Sequence, residues 1–187
     1  MAPDGSICGT IAARTLLKGA WYSPANQLLV GALDLEPPLD DATLMLLENR
    51  VNAIVQETRG FVAVDALTLS PDDEFRDLHV RRLLILLRRL AIRAGNAFVF
   101  RNNDDSLRRL VQREFEQVLG DLFVRGAFAG ATHDEGYRVI TESTLNTPSS
   151  IEQGRFVAEL RVAPSQPMTF LTVRLIQEGG ALMVEEG

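Results

Sequence analysis

The sequence is poor in the residues on which most enzyme and cofactor chemistry depends. Its 187 residues include one cysteine, Cys8, which cannot close an internal disulfide and reads as a plain thiol. The two histidines, His79 and His133, each lack a second histidine or cysteine at metal-ligand spacing, so no metal or other cofactor is expected. Neither the phosphate-cradling GxxxxGK[ST] pattern, nor a GxGxxG after a strand, nor a GxSxG elbow occurs. No run is long and apolar enough to span a membrane. The opening "MAPDGSICGTIAARTLLKG" lacks the cationic-then-apolar order of a signal peptide, and direct membrane insertion is not expected.

Lysine is almost missing too. Lys18 is the only one, so positive charge is carried by arginine, the cation better suited to bidentate and partly desolvated ion pairs. The net charge of −6 conceals a segregation: from Arg76 to Arg125 there are 11 basic and 6 acidic residues, whereas the rest of the chain holds 8 and 19. A basic middle raises the question of nucleic acid, but Phe98, Phe100, Phe115 and Phe123 fall at core positions of their elements. That leaves no stacking platform among the arginines, and the overall charge repels a polyanion. Nucleic acid is therefore not an expected partner, and the arginines point to protein contacts.

What the sequence does contain is punctuation and periodicity. "EPPLDDATLMLLEN" offers Asp40 and Asp41 as starts of a short helix running to about Glu48. "RVNAIVQE" and "FVAVDALTL", separated by "TRG", read as two strands, and residues 19–27 as an ordered, non-helical connection. A helix capped by Asp77 and ended by Gly95 places Val80, Leu83, Leu84, Leu87, Leu90 and Ala91 on one face. Arg81, Arg82, Arg88, Arg89 and Arg93 lie on the other, with Ile85 and Ile92 among them. "NAFVFR" reads as a buried strand. Helix 106–125, stopped by Gly126, repeats Leu107, Leu110, Val111, Phe115, Val118, Leu119 and Leu122 at threes and fours, with Arg108, Arg109 and Arg113 outward. "YRVITES", "RFVAELRVA" and "MTFLTVRLIQ" are three further strands, and the glycine-rich acidic end reads as loose. The expected fold is α/β (α+β), a mixed sheet flanked by helices. It is divided as a lead-in segment (1–18), one domain (19–176) and a flexible acidic tail (177–187). His133 beside Asp134 and Glu135 is the one candidate for a general-base pair, and acidic residues next to a histidine in a loop are its simpler account.

Taken in order, these segments resemble the carboxy-terminal domain of the tail sheath proteins of contractile phages and related injection systems. "KGAWYSPAN" is similar to that family's G-x-W-x-x-PAN, "RVNAIV" to its vN-x-I strand, and "DALTLS" to its GARTLS. "DLHVRRLL" resembles the start of its long helix, and "NAFVFRNNDDSL" its W-x-VFEPND-x-x-L. "RGAFAGATHDEGYRV" resembles GAL-x-GATP-x-EAF-x-V, "NTPSSIEQGR" T-x-x-D-I-x-x-GR, and "VAPSQPMTFLTVRL" APV-x-PAEF-x-x-x-x-I. Asp65, Leu67 and His133 depart from the residues the family favours at those places. Further domains and an extended arm usually precede this region, so the chain is expected to be either a compact sheath protein or a piece of a longer one.

The resemblance implies a mechanical, non-catalytic subunit of a phage tail or tail-like particle, assembled in the bacterial cytoplasm. It would stack with copies of itself around an inner tube protein, with baseplate and cap proteins as further partners. A non-contracting cap, collar or baseplate relative is the alternative. Phe170, Leu171, Thr172, Val173, Arg174 and Leu175 are then candidates for a strand added to a neighbour's sheet. The α-helical arginines at 81, 82, 88, 89 and 93 become candidates for contacts with the next subunit's carboxylates, and Arg108, Arg109 and Arg113 for facing the tube.

Overall fold

The computed structural model describes residues 2–47, 50–98, 101–164, 170–178 and 180–186. The chain forms two compact units, Met1–Arg82 and Leu83–Gly187.

The first unit opens with helix α1, Asp4–Lys18. It ends at Gly19, whose φ of +116° suits glycine and whose α-carbon lies so close to Trp21 that an added Cβ would sit 2.5 Å from the indole ring. Helix α2, Asp41–Leu47, starts where the aspartates predict: the Asp40 carboxylate accepts from the Thr43 N–H at 2.8 Å. Strands β1 (Ile54–Glu57) and β2 (Gly60–Ala63) form the expected hairpin, turning at Thr58 and Arg59, with Leu28 bridging to Val62 on its other side. Past β2, the Asn52 side chain accepts from the Leu67 N–H at 2.7 Å and donates to the Leu67 carbonyl at 2.9 Å. One amide thus does for Leu67 what a paired strand residue would do.

Helix α3, Leu78–Gly95, contains the unit boundary. Val80, Leu83, Leu84, Leu87 and Ala91 are buried, as their spacing predicts; Leu90 is half-buried, Ile85 is half-buried and Ile92 exposed. The strand expected over 96–101 does not form at its described positions. Asn96, Ala97 and Phe98 instead wind on from α3, their N–H groups donating to Ile92, Ala94 and Gly95 carbonyls, and this satisfies the helix's last carbonyls. Val99 and Phe100 lie outside the described residues.

Helix α4, Asp105–Val124, is capped by Asp104, which accepts from the Leu107 N–H at 2.8 Å. Leu107, Val111, Phe115, Leu119 and Leu122 are buried, each such side chain contributing about 1.5–3 kcal/mol of apolar burial. A one-turn helix α5 (His133–Gly136) leads into strand β3 (Tyr137–Ile140), and helix α6 (Pro148–Glu152) precedes strand β4 (Phe156–Val162). Strands β5 (Leu171–Glu178) and β6 (Ala181–Glu186) complete a sheet in the order β3-β4-β5-β6. The α+β class is as expected, but every ladder among the described residues is antiparallel, so the sheet is not mixed. Ala158, Leu160, Val162, Val173 and Leu175 line its core face with at most 1% exposure.

The tail is likewise not loose over Ala181–Glu186. Alternation in "ALMVEE" half-buries Leu182 and Val184 and leaves Ala181, Met183 and Glu185 exposed. Gly95 accepts this strand closely: a Cβ there would lie 2.8 Å from Leu182 and 3.1 Å from Leu175.

Candidate assembly surfaces

Strand addition requires unpaired backbone, and the structure redistributes where that is found. Leu171–Leu175 belongs to β5, which is hydrogen-bonded to β4 on one side (Val173↔Leu160) and to β6 on the other (Val173↔Glu186). Val173, Arg174 and Leu175 are therefore interior, held by their own sheet on both sides, whereas Leu171 and Thr172 are paired with β4 only among the described residues. Phe170 stands just before it, 43% exposed. The proline-flanked position that suggested a departing strand is answered by β6, which fills the second ladder of β5. The sheet's outermost strands are β3 and β6.

The α3 arginines are also largely used within the chain. Arg82 Nη2 donates to Thr15 Oγ1 on α1 at 2.7 Å. Arg81 lies over the Phe75 ring, 5.7 Å from its centroid, a cation–π contact. Arg88 lies 3.8 Å from Glu186 on β6. Arg88, Arg89 and Arg93 are exposed, as the helical projection predicts, whereas Arg81 and Arg82 are half-buried. An arginine-rich face on a helix is thus met mainly by intramolecular partners, the long side chains covering the chain's own surface while their heads find acceptors.

On α4 the three arginines divide. Arg109 and Arg113 are exposed. Arg108 is turned inward, its side chain 17% exposed, with Asp105 at 3.5 Å and Asn103 Oδ1 at 3.4 Å, because it sits one turn from the acidic cap that opens the helix. Around Arg113 the helix carries Glu114, Glu116 and Asp121, all exposed, so this surface is mixed in charge.

His133 does not form a general-base pair with Glu135. The Glu135 carboxylate accepts from the Ala131 and Thr132 N–H groups at 2.7 and 3.3 Å, completing the capping box of α5. The His133 ring packs edge-on against Phe123, centroids 4.9 Å apart, and Tyr137 lies 5.7 Å away. Among the described residues no group of three or more His, Cys, Asp or Glu is placed to hold a metal ion, and no helix is long and apolar enough to cross a membrane.

Sequence reasoning missed Asn146, which is 1% exposed. Its Oδ1 accepts from the Val157 N–H at 2.8 Å and its Nδ2 donates to the Val157 carbonyl at 2.8 Å, with Thr141 O at 3.2 Å. β3 stops opposite Glu159, so Val157 would otherwise lack a ladder partner on that side; the amide replaces the absent strand residue. No periodicity marks such a residue. Its only signal was an asparagine opening the motif-like "NTPSS".

The geometry defines a class: an antiparallel α+β domain with outer sheet strands and charged helix faces as its prominent surfaces. The family model for the phage tail sheath C-terminal domain matches residues 70–178, more than half of the chain, and the chain belongs to that family. It is 27% identical over 183 residues to the tail sheath protein of Vibrio phage KVP40, covering 92% of this chain and 26% of that one. Among solved structures it resembles a chain of the anti-feeding prophage baseplate (TM-score 0.81, 28% identity, 88% of this chain and 47% of that one). It also resembles the PVC sheath complex of an extracellular contractile injection system in its contracted state (TM-score 0.79, 26% identity, 86% and 47%). The chain therefore spans about a quarter of that curated relative and just under half of those solved chains.

Proposed function

We propose that this chain is a subunit, or the subunit's inner domain, of a contractile tail sheath in a phage tail or tail-like particle. Copies stack in helical rows around an inner tube and contract as a body to drive that tube through a target envelope. The role is mechanical, without catalysis. The observation that carries it is the likeness, across 86% of the chain, to a sheath complex in its contracted state. Family membership and that likeness favour this reading over a non-contracting cap, collar or baseplate component.

Within the sheath, strand exchange falls to β6 rather than to residues 170–175. An outer strand can add to, or receive, a neighbour's strand without breaking a ladder on each side. Arg89 and Arg93 of α3 are the helix's contacts to the next subunit, and Arg109 and Arg113 of α4 face the tube. Arg81, Arg82, Arg88 and Arg108 serve the fold. Electron microscopy of the expressed chain with its tube protein tests the reading: striated helical cylinders are expected, and a folded monomer that never forms them refutes it. Arg109→Glu/Arg113→Glu should abolish docking on the tube while leaving the monomer folded. Unchanged docking would remove these two residues from the interface.

A further inference from the structure

The outer face of the four-stranded sheet carries a charge arrangement that neither the helices nor the strand edges explain. Arg138 on β3 stands directly opposite Arg161 on β4, and Arg174 on β5 is the diagonal neighbour of Arg161. Like charges set opposite each other across an antiparallel pair repel, so the fold gains nothing from Arg138 at this place. All three arginines are exposed.

Beneath them lies one carboxylate, that of Glu159, 2% exposed. Arg161 meets it through Nε at 3.0 Å and Arg174 through Nε at 3.8 Å. Those two side chains are still 45% and 50% exposed. Among the described residues no carboxylate lies within ion-pair distance of Arg138. Glu159 engages two guanidinium groups and Glu185 stands opposite Arg174 on the same face, so three arginines still exceed two carboxylates, with Arg138 facing only another arginine. The entropy of ordering two of these side chains has been met before any partner arrives.

We propose that this arginine cluster binds the Asp72-Asp73-Glu74 loop of a second copy of the chain. Charge complementarity selects the occupant. Most other paired carboxylates are committed: Asp40 and Asp104 cap helices, Asp105 meets Arg108, Glu135 closes a capping box and Glu185 lies opposite Arg174 on its own sheet. Asp72, Asp73 and Glu74 are three consecutive exposed carboxylates in a 3-10 turn and the residue before it. Among the described residues Asp73 lies 3.5 Å from Arg76, through a carboxylate that is still 92% exposed. Because the cluster and the loop are different surfaces of one chain, the contact is heterologous. Such contacts propagate into a ring or a helix rather than closing as a twofold dimer. This deepens the sheath reading and rests on it for its setting, though the pairing itself can be tested without a tube.

Sedimentation of the full chain at low and high salt is the test. The parent should associate at low salt and come apart as salt screens the pair. Arg138→Glu, which removes no ion pair from the fold, should weaken association about fivefold or more. Asp72→Lys/Asp73→Lys/Glu74→Lys should weaken it similarly, and mixing the two variants should restore it, since each supplies a surface complementary to the other. A parent that stays monomeric at low salt, or variants that associate as the parent does, would overturn the proposal. Loss in both variants without recovery on mixing would overturn it as well. If Arg138→Glu alone loses docking on the tube protein, the cluster serves the tube and not a second copy. Cylinders that form normally from both variants would sink this contact but leave the sheath reading standing; salt-sensitive oligomers without cylinders would do the reverse.

Discussion

Asn146→Ala should destabilise the second unit severely, although the residue lies in a polar connection between β3 and β4. The substitution deletes the acceptor of the Val157 N–H and a donor to the Val157 carbonyl, both at 2.8 Å, in a site 1% exposed. A buried backbone group stripped of its partner costs about 1–3 kcal/mol. Two such groups, less what an entering water recovers, give about 2–4 kcal/mol. For a chain of this size that corresponds to a fall in melting temperature of roughly 5–15 °C. Asn146→Asp should be worse: it keeps the acceptor, loses the donor and places negative charge against the Val157 and Thr141 carbonyls. Thermal melts by circular dichroism give the magnitude, and hydrogen exchange at the Val157 amide gives the location. Trp21, the only tryptophan and part of the first unit, serves as an internal control by fluorescence. A loss below about 0.5 kcal/mol, or a Val157 amide as protected as in the parent, would refute the idea that this amide stands in for a strand.

Three other outcomes follow from the same geometry. Gly136→Ala should cost about 1–3 kcal/mol in a urea melt, because its Cβ would lie 2.6 Å from the Phe123 ring, itself held by His133 and Tyr137. Gly9→Ala, inside α1 with nothing within 4 Å of the new methyl group, should instead stabilise by about 0.5–1 kcal/mol in the same assay. Burial holds the His79 pKa below its usual 6.5, with the Asp77 carboxylate opposing weakly. The unfolded chain therefore takes up this proton first on acidification: stability is whole above about pH 6.5 and falls as pH drops toward the folded-state value. The urea midpoint should drop between pH 7.5 and 5.5, and His79→Gln should flatten the drop; an equal drop in the variant would assign it elsewhere.

The parts of the fold legible in the sequence were those decided by local period. The α4 stripe at Leu107, Val111, Phe115, Leu119 and Leu122 and the α3 stripe from Val80 to Ala91 are buried as their spacing requires, since a helix fixes which residues share a side. The β1–β2 hairpin and the caps at Asp40 and Asp104 are equally local. What stayed hidden depends on residues distant in sequence. Whether Leu171–Leu175 is an edge or an interior strand is decided by Ala181–Glu186, and the glycine and glutamates around that segment masked its alternation. The destinations of Arg82 and Arg88 were hidden similarly. A helical projection says which way an arginine points, not that Thr15 or Glu186 waits there.

Asn146 also bears on how a sheet with open outer strands resists invasion elsewhere. A foreign strand displaces a resident one stepwise, gaining a foothold at an open end and trading hydrogen bonds one at a time. At β6 such a foothold exists along a whole outer strand. At Val157 it does not: the occupant is a single side chain anchored eleven residues away, and an invader would have to break both bonds at once with nothing gained beforehand. The same sheet is therefore open along its outer strands and locked at Val157 of β4, where β3 has stopped, and the lock is one residue.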